Sequence, residues 1–238
     1  MIELEVRQLA GSDVLHACPR GQGGQPLPCI VFYHGFTSSK IVYSYFAVAL
    51  AQAGFRVIMP DAWDHGSRYA GDENRRLGQF WPILLRNFAE FPALREAIVA
   101  QGWLAEGRLA VGGASMGGMT ALGLMTRHPE LRCVASLMGS GFFSSLSRTL
   151  FPSQDDVGNV LAEWDVGQHL AALGSKPLLL WHGEEDDLVP AEESFRLQQA
   201  LIHAGQDARL ICRWQPGVRH RITPEAVDAA VAFFRQQL

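Results

Sequence analysis

The chain has 238 residues, 48% of them apolar and 18% charged, the composition of an ordinary globular protein long enough to bury a large core. Twenty Lys and Arg against twenty-four Asp and Glu leave a formal net charge of −4, and no stretch gathers basic residues into a phosphate-tracking surface, which argues against a nucleic-acid partner. No apolar run approaches the roughly eighteen residues of a membrane span, and "MIELEVRQLAGSDV" lacks the basic start and apolar stretch of a signal peptide, so a cytoplasmic protein is expected.

Two alternating segments, Ile2 to Gln8 and Val14 to Ala17, flank the turn residues Gly11, Ser12 and Asp13 and predict a hairpin. The apolar run Cys29 to Tyr33, bounded by Pro28 and Gly35, reads as a strand buried on both faces. Tyr43, Phe46, Ala47, Leu50 and Ala51 then recur at helical spacing until Gly54. The alternation continues: strand Phe55 to Met59, a helical region within Asn74 to Ala100, strand Leu109 to Gly112, helix Ser115 to Arg127, strand Cys133 to Met138. After an irregular stretch come strand Leu178 to Trp181, helix Ala191 to Ala204, strand Ala208 to Trp214 and helix Pro224 to Gln236. Such a pattern predicts an α/β fold, a mostly parallel central sheet with helices on both faces and the hairpin as antiparallel strands at one edge.

No linker or repeat divides the sequence, so residues 1–238 are expected to form a single domain. The long interruption from Gly139 to about Ser175 is rich in aromatic residues and reads as a lid over a functional site. Cys18, Cys29, Cys133 and Cys212 lie far apart without a CxxC pair and are expected to be free thiols in a reducing compartment.

The chemistry concentrates at "GGASMGGM", where Gly113, Ser115 and Gly117 make a G-x-S-x-G spacing between a predicted strand and a predicted helix. A nucleophile held on so sharp a turn has the chain passing close on either side, where side chains would collide, and glycine at both flanks removes the clash. The helix N-terminus adds backbone N–H groups and partial positive charge beneath the hydroxyl. Serine is a poor nucleophile unless an oriented base takes its proton. In the order Ser, then Asp or Glu, then His, the partners come later, in loops at the C-terminal ends of strands. "WHGEEDDLVP" offers four adjacent carboxylates, Glu184 to Asp187, and "WQPGVRHRITPEA" offers His220 as base.

With these passages the chain resembles the α/β-hydrolase superfamily, particularly the small bacterial carboxylesterases related to the dienelactone hydrolase and prolyl-oligopeptidase-like group. "HGFTSSK", "GGASMGGM" and "HGEEDDLVP" carry the resemblance, which spans nearly the whole chain. The third passage follows the family pattern H-G-x-x-D-x-x-V-P, which implies Asp186 rather than Asp187 as the triad acid. Dienelactone hydrolases carry Cys as nucleophile, and Ser115 departs from them there. The oxyanion hole is expected from two backbone N–H groups: Met116, directly after the nucleophile, and, by resemblance of "HGF" to the family's oxyanion loop, Phe36.

His34 and His182 read as loop-structuring residues bonded locally. His65 in "DAWDHGSR" is the rival base; with Asp61 and Asp64 beside it a metal site is conceivable, but no ligand spacing supports one, and no metal or cofactor is expected. Among Trp63, Tyr69, Phe80, Trp81, Phe88, Phe142, Phe143, Phe151 and Trp164, half or more are expected in the core and the rest as walls of an apolar acyl pocket. The reading is a serine carboxylesterase acting on small to medium acyl esters through an acyl-enzyme. The alternatives are an acyl thioesterase on the same triad and a non-catalytic hydrolase-fold binding protein. The partner is a small-molecule ester; the sequence carries no signal for oligomeric state.

Overall fold

Strands β1 (Ile2–Leu9) and β2 (Ser12–Pro19) pair antiparallel as the predicted hairpin, and β2 pairs antiparallel with β4 (Arg56–Pro60). From there β3 (Leu27–Tyr33), β5 (Leu104–Ala114), β6 (Leu131–Leu137), β7 (Leu178–Gly183) and β8 (Leu210–Gln215) complete an eight-stranded sheet in the order β1-β2-β4-β3-β5-β6-β7-β8, every later pairing being parallel. This is the α/β-hydrolase architecture. The computed structural model describes residues 1–153 and 157–238.

The central strands are buried on both faces, and their alternation sorts side chains into two cores. In β3, Cys29, Val31 and Tyr33 join one and Ile30 and Phe32 the other. Helices α1 (Ser44–Gln52) and α9 (Pro224–Gln237) cover one face, contributing Phe46, Leu50, Phe233 and Phe234. On the opposite face lie α3 (Phe80–Ala100), α4 (Met116–Arg127) and α8 (Ala191–His203), contributing Phe88, Phe91, Leu122 and Leu197. A short α2 (Glu73–Leu77), with Asp72 capping the Arg75 N–H, precedes α3, and Gly78 divides what the sequence presents as one helical region.

Two elements differ from expectation. Strand β5 starts at Leu104 rather than Leu109, because its polar first half pairs with the beginning of β3 through Leu27 and Leu104, a ladder that hydrophobic patterning does not encode. The Gly139 to Ser175 segment is less irregular than its sequence suggests. It holds α5 (Phe143–Leu146), α6 (Gly158–Trp164) and α7 (Leu170–Gly174), and buries Phe143, Leu146, Leu161, Val166 and Leu173 in the core. The expected lid, Gly139 to about Ser175, includes residues 154–156, which lie outside the described residues. Around them, much of the segment is anchored: the Trp81 indole N–H donates to the Leu150 carbonyl at 2.9 Å. Among the described residues no helix is long and apolar enough to cross a membrane.

Candidate active site

Strand β5 ends at Ala114 and α4 begins at Met116, so Ser115 alone makes the turn, with φ 56° and ψ −119°. That backbone conformation is one an L-residue rarely adopts and costs of order 1–3 kcal/mol, so surrounding contacts must enforce it. The Ser115 N–H donates to Leu137 O at 2.8 Å. A Cβ on Gly113 would overlap the backbone of Gly117, and one on Gly117 would overlap the Tyr33 carbonyl. These glycines therefore let β5, α4 and the end of β3 meet where the serine stands.

Three loops at the C-terminal edge of the sheet bring the sequence-predicted side chains together. The Ser115 hydroxyl donates to His220 Nε2 at 2.9 Å, and His220 Nδ1–H donates to Asp186 Oδ2 at 2.7 Å. The other Asp186 oxygen accepts the N–H groups of Leu188 and Val189, both at 3.0 Å. Burial alone would raise the Asp186 carboxyl; hydrogen bonds from His182 and His220 outweigh it and hold the group well below the usual carboxylate range. Asp186 therefore stays ionised and keeps the His220 proton on Nδ1. Asp187 faces solvent beside Arg219, at 3.5 Å.

Met116 is the first residue of α4, so its N–H has no intrahelical acceptor. Phe36 lies in the loop after β3, where a Cβ on the preceding Gly35 would come within 3.5 Å of Ser115 Cβ. Ser115 and His220 open onto a cleft of about 180 Å³ shared by Gly35, Phe36, Tyr43, Phe80 and Phe151. Phe36 meets Phe80 edge-on at 4.9 Å, and Phe151 lies 5.2 Å from Phe36 and 5.1 Å from Phe80, closing one wall. Of the aromatic residues singled out in the sequence, Phe80 and Phe151 reach the cleft. Trp81, Phe88 and Phe143 lie in the core, and Trp63 and Tyr69 are exposed.

The remaining histidines have other tasks. His34 Nε2 accepts the Ala62 N–H at 3.0 Å while Nδ1–H donates to Gly35 O at 2.8 Å; burial pushes it down to about 4. His65, the rival base, is turned away from base chemistry because its Nε2 accepts the Thr37 N–H at 2.9 Å. Its neighbour Asp61 is engaged by Lys40 and Ser67. Among the described residues no group of three or more His, Cys, Asp or Glu is placed to hold a metal.

His182 does more than structure its own loop. Its Nε2 lies 2.9 Å from Val189 O and 3.2 Å from Asp186 Oδ2. The sequence signal was present, four residues ahead of Asp186, but the pairing needs the turn after β7 to fold back.

Residues 42–238 match the prolyl oligopeptidase family. Esterase YjfP of Escherichia coli is 64% identical over the full length of both chains. Among solved structures, TT1662 of Thermus thermophilus superposes with a TM-score of 0.83 at 24% identity, covering 99% of this chain and 98% of that one. A Mycobacterium tuberculosis puromycin-hydrolysing peptidase superposes with a TM-score of 0.76 at 22% identity, over 99% of this chain and 39% of its own.

Proposed function

Because the chain belongs to the prolyl oligopeptidase family, we propose that its serine relay makes it a carboxylesterase, hydrolysing esters of small to medium acyl groups through an acyl-enzyme. The observation that carries the proposal is the continuous hydrogen-bond relay from Ser115 through His220 to Asp186, opening on an aromatic cleft. The similarity to an esterase over the whole length supports the ester as substrate.

On this reading the relay supports the following steps. His220 Nε2 takes the Ser115 proton as Oγ attacks the ester carbonyl, and the carbonyl electron pair moves onto oxygen. The N–H groups of Phe36 and Met116 receive that oxyanion, and ionised Asp186 stabilises the imidazolium. The tetrahedral intermediate collapses, His220 returns the proton to the departing alcohol, and the acyl group stays on Ser115. Water then enters, loses a proton to the same nitrogen, attacks the acyl carbon and releases the acid. No step calls for a metal or cofactor.

A cleft of about 180 Å³ is smaller than the roughly 300–1,000 Å³ that holds a drug-sized ligand, which favours short acyl groups. We place this activity within one domain and in the cytoplasm, the latter reading supported by four free cysteines, three of them buried. The test is hydrolysis of p-nitrophenyl esters from acetate to decanoate by wild type and Ser115→Ala, with the matching thioesters alongside. Activity greatest on short esters and absent from Ser115→Ala is expected; a fully active Ser115→Ala overturns the proposal.

A further inference from the structure

Phe36 stands between two peptide units, and each is gripped by a buried histidine. The Gly35–Phe36 peptide carries the Phe36 N–H at one end and, at the other, the Gly35 carbonyl that accepts His34 Nδ1–H at 2.8 Å. With no cis peptide among the described residues, C=O and N–H of that unit point in opposite directions. The next unit carries the Thr37 N–H, which donates to His65 Nε2 at 2.9 Å. His65 comes from a different loop, after β4, and is itself fixed by donation of Nδ1–H to Trp63 O at 2.8 Å.

Thr37 makes this second grip necessary. It is β-branched and has φ 60°, in the left-handed region such residues avoid. A residue stays in that conformation only where its surroundings over-determine it, and the bond to His65 is the contact that holds its N–H. A backbone N–H can only donate, so the bond requires His65 to be neutral with its proton on Nδ1. Burial lowers the His65 pKa, outweighing the Trp63 carbonyl that favours the charged form, and keeps the ring neutral. The ring also packs 5.2 Å from that of Phe36.

We propose that His65 is a positioning residue: by accepting the Thr37 N–H it holds the peptide after Phe36 and so keeps the Phe36 N–H aimed at the oxyanion. This rests on the oxyanion role of Phe36 proposed above. His65 touches neither substrate nor Ser115 in this role; it acts through one backbone bond. Its contribution appears in the tetrahedral state rather than in substrate binding.

The experiment compares His65→Gln and His65→Asn with wild type on p-nitrophenyl acetate. The glutamine amide oxygen reaches about where Nε2 lies and accepts the same N–H; the asparagine oxygen falls short. His65→Asn is expected to lower kcat about 10- to 100-fold, less than outright loss of an oxyanion donor, with KM within about threefold of wild type. The Ki of an aryl trifluoromethyl ketone should rise in parallel. Ser115 Oγ adds to that ketone's carbon as its proton passes to His220, which places the resulting alkoxide in the oxyanion site. His65→Gln should recover kcat to within about fivefold of wild type. Equal kcat in both variants, whether high or low, or a change confined to KM or thermal stability, overturns the positioning role. Ser115→Ala in the same assay separates the two levels, because loss of activity there with wild-type kcat in His65→Asn rejects this inference alone.

Discussion

His182 Nε2 lies 3.2 Å from the same Asp186 oxygen that His220 Nδ1 engages at 2.7 Å, so two imidazoles share one buried carboxylate oxygen. His182 Nδ1 lies 2.7 Å from the Ser194 hydroxyl on α8, tying the carboxylate to a rigid helix. Removing His182 leaves Asp186 held by His220 and two backbone N–H groups. His182→Ala is expected to lower kcat about tenfold and to destabilise the fold by about 1–3 kcal/mol. Steady-state kinetics and thermal melts of the same preparation check both, and an unchanged kcat in the folded variant would remove His182 from the catalytic assembly.

The four carboxylates after β7 differ sharply in surroundings, and mutation should reveal it. Asp186→Asn removes the charge that orients His220 and is expected to cost about 10⁴-fold in kcat. Asp187→Asn, exposed beside Arg219, should stay within about twofold of wild type, as exposed ion pairs contribute little. A reversal of these two results in esterase assays would move the proposed acid role from Asp186 to Asp187.

Phe151 limits the cleft. With φ 44° and its ring against those of Phe36 and Phe80, it forms a wall that, under the proposed function, a longer acyl chain meets. Phe151→Ala should raise the ratio of hexanoate to acetate kcat/KM about tenfold, the scale of one or two methylenes in an apolar site. The p-nitrophenyl ester series measures it; an unchanged ratio would place the acyl chain elsewhere.

Buried neutral histidines predict acid sensitivity. His34 is held down to about 4 by burial, against an ordinary value of about 6.5. Above pH 6.5 the folded and unfolded chains are both unprotonated there, and stability is intact. As pH falls from 6.5 to 4 the unfolded chain binds a proton that the folded chain refuses, costing in all about 3 kcal/mol. His16 and His65, also lowered by burial, add in the same direction. Tm should drop between pH 6.5 and 4, and His34→Gln should flatten that slope. A wild-type Tm that is constant across this window would contradict the neutral assignment.

Much of the fold was legible because continuous apolar strands alternating with helices have few ways to bury themselves. The run Cys29 to Tyr33 specifies a strand covered on both faces, and both cores claim it. The polar start of β5 was not legible, since its pairing with Leu27 depends on a strand seventy-seven residues away rather than on its own pattern. Nor were α5, α6 and α7: each has seven residues or fewer, too short to display helical periodicity.

What the sequence determined by itself was the set of groups. Gly113 and Gly117 mark a turn that only small residues permit, the order Ser, acid, His offers Ser115, the carboxylates Glu184 to Asp187 and His220 as candidates, and the family resemblance singles out Asp186 among the four. The tertiary structure decided which oxygen, which nitrogen and which neighbour. It placed His182 on Asp186, committed His65 to the Thr37 N–H, and closed the cleft with Phe36, Phe80 and Phe151 from three separate segments. A local pattern records what each segment must do to its own backbone. Contacts between loops, such as that of Ser115 with His220 105 residues away, exist only once the sheet has brought their ends to one edge.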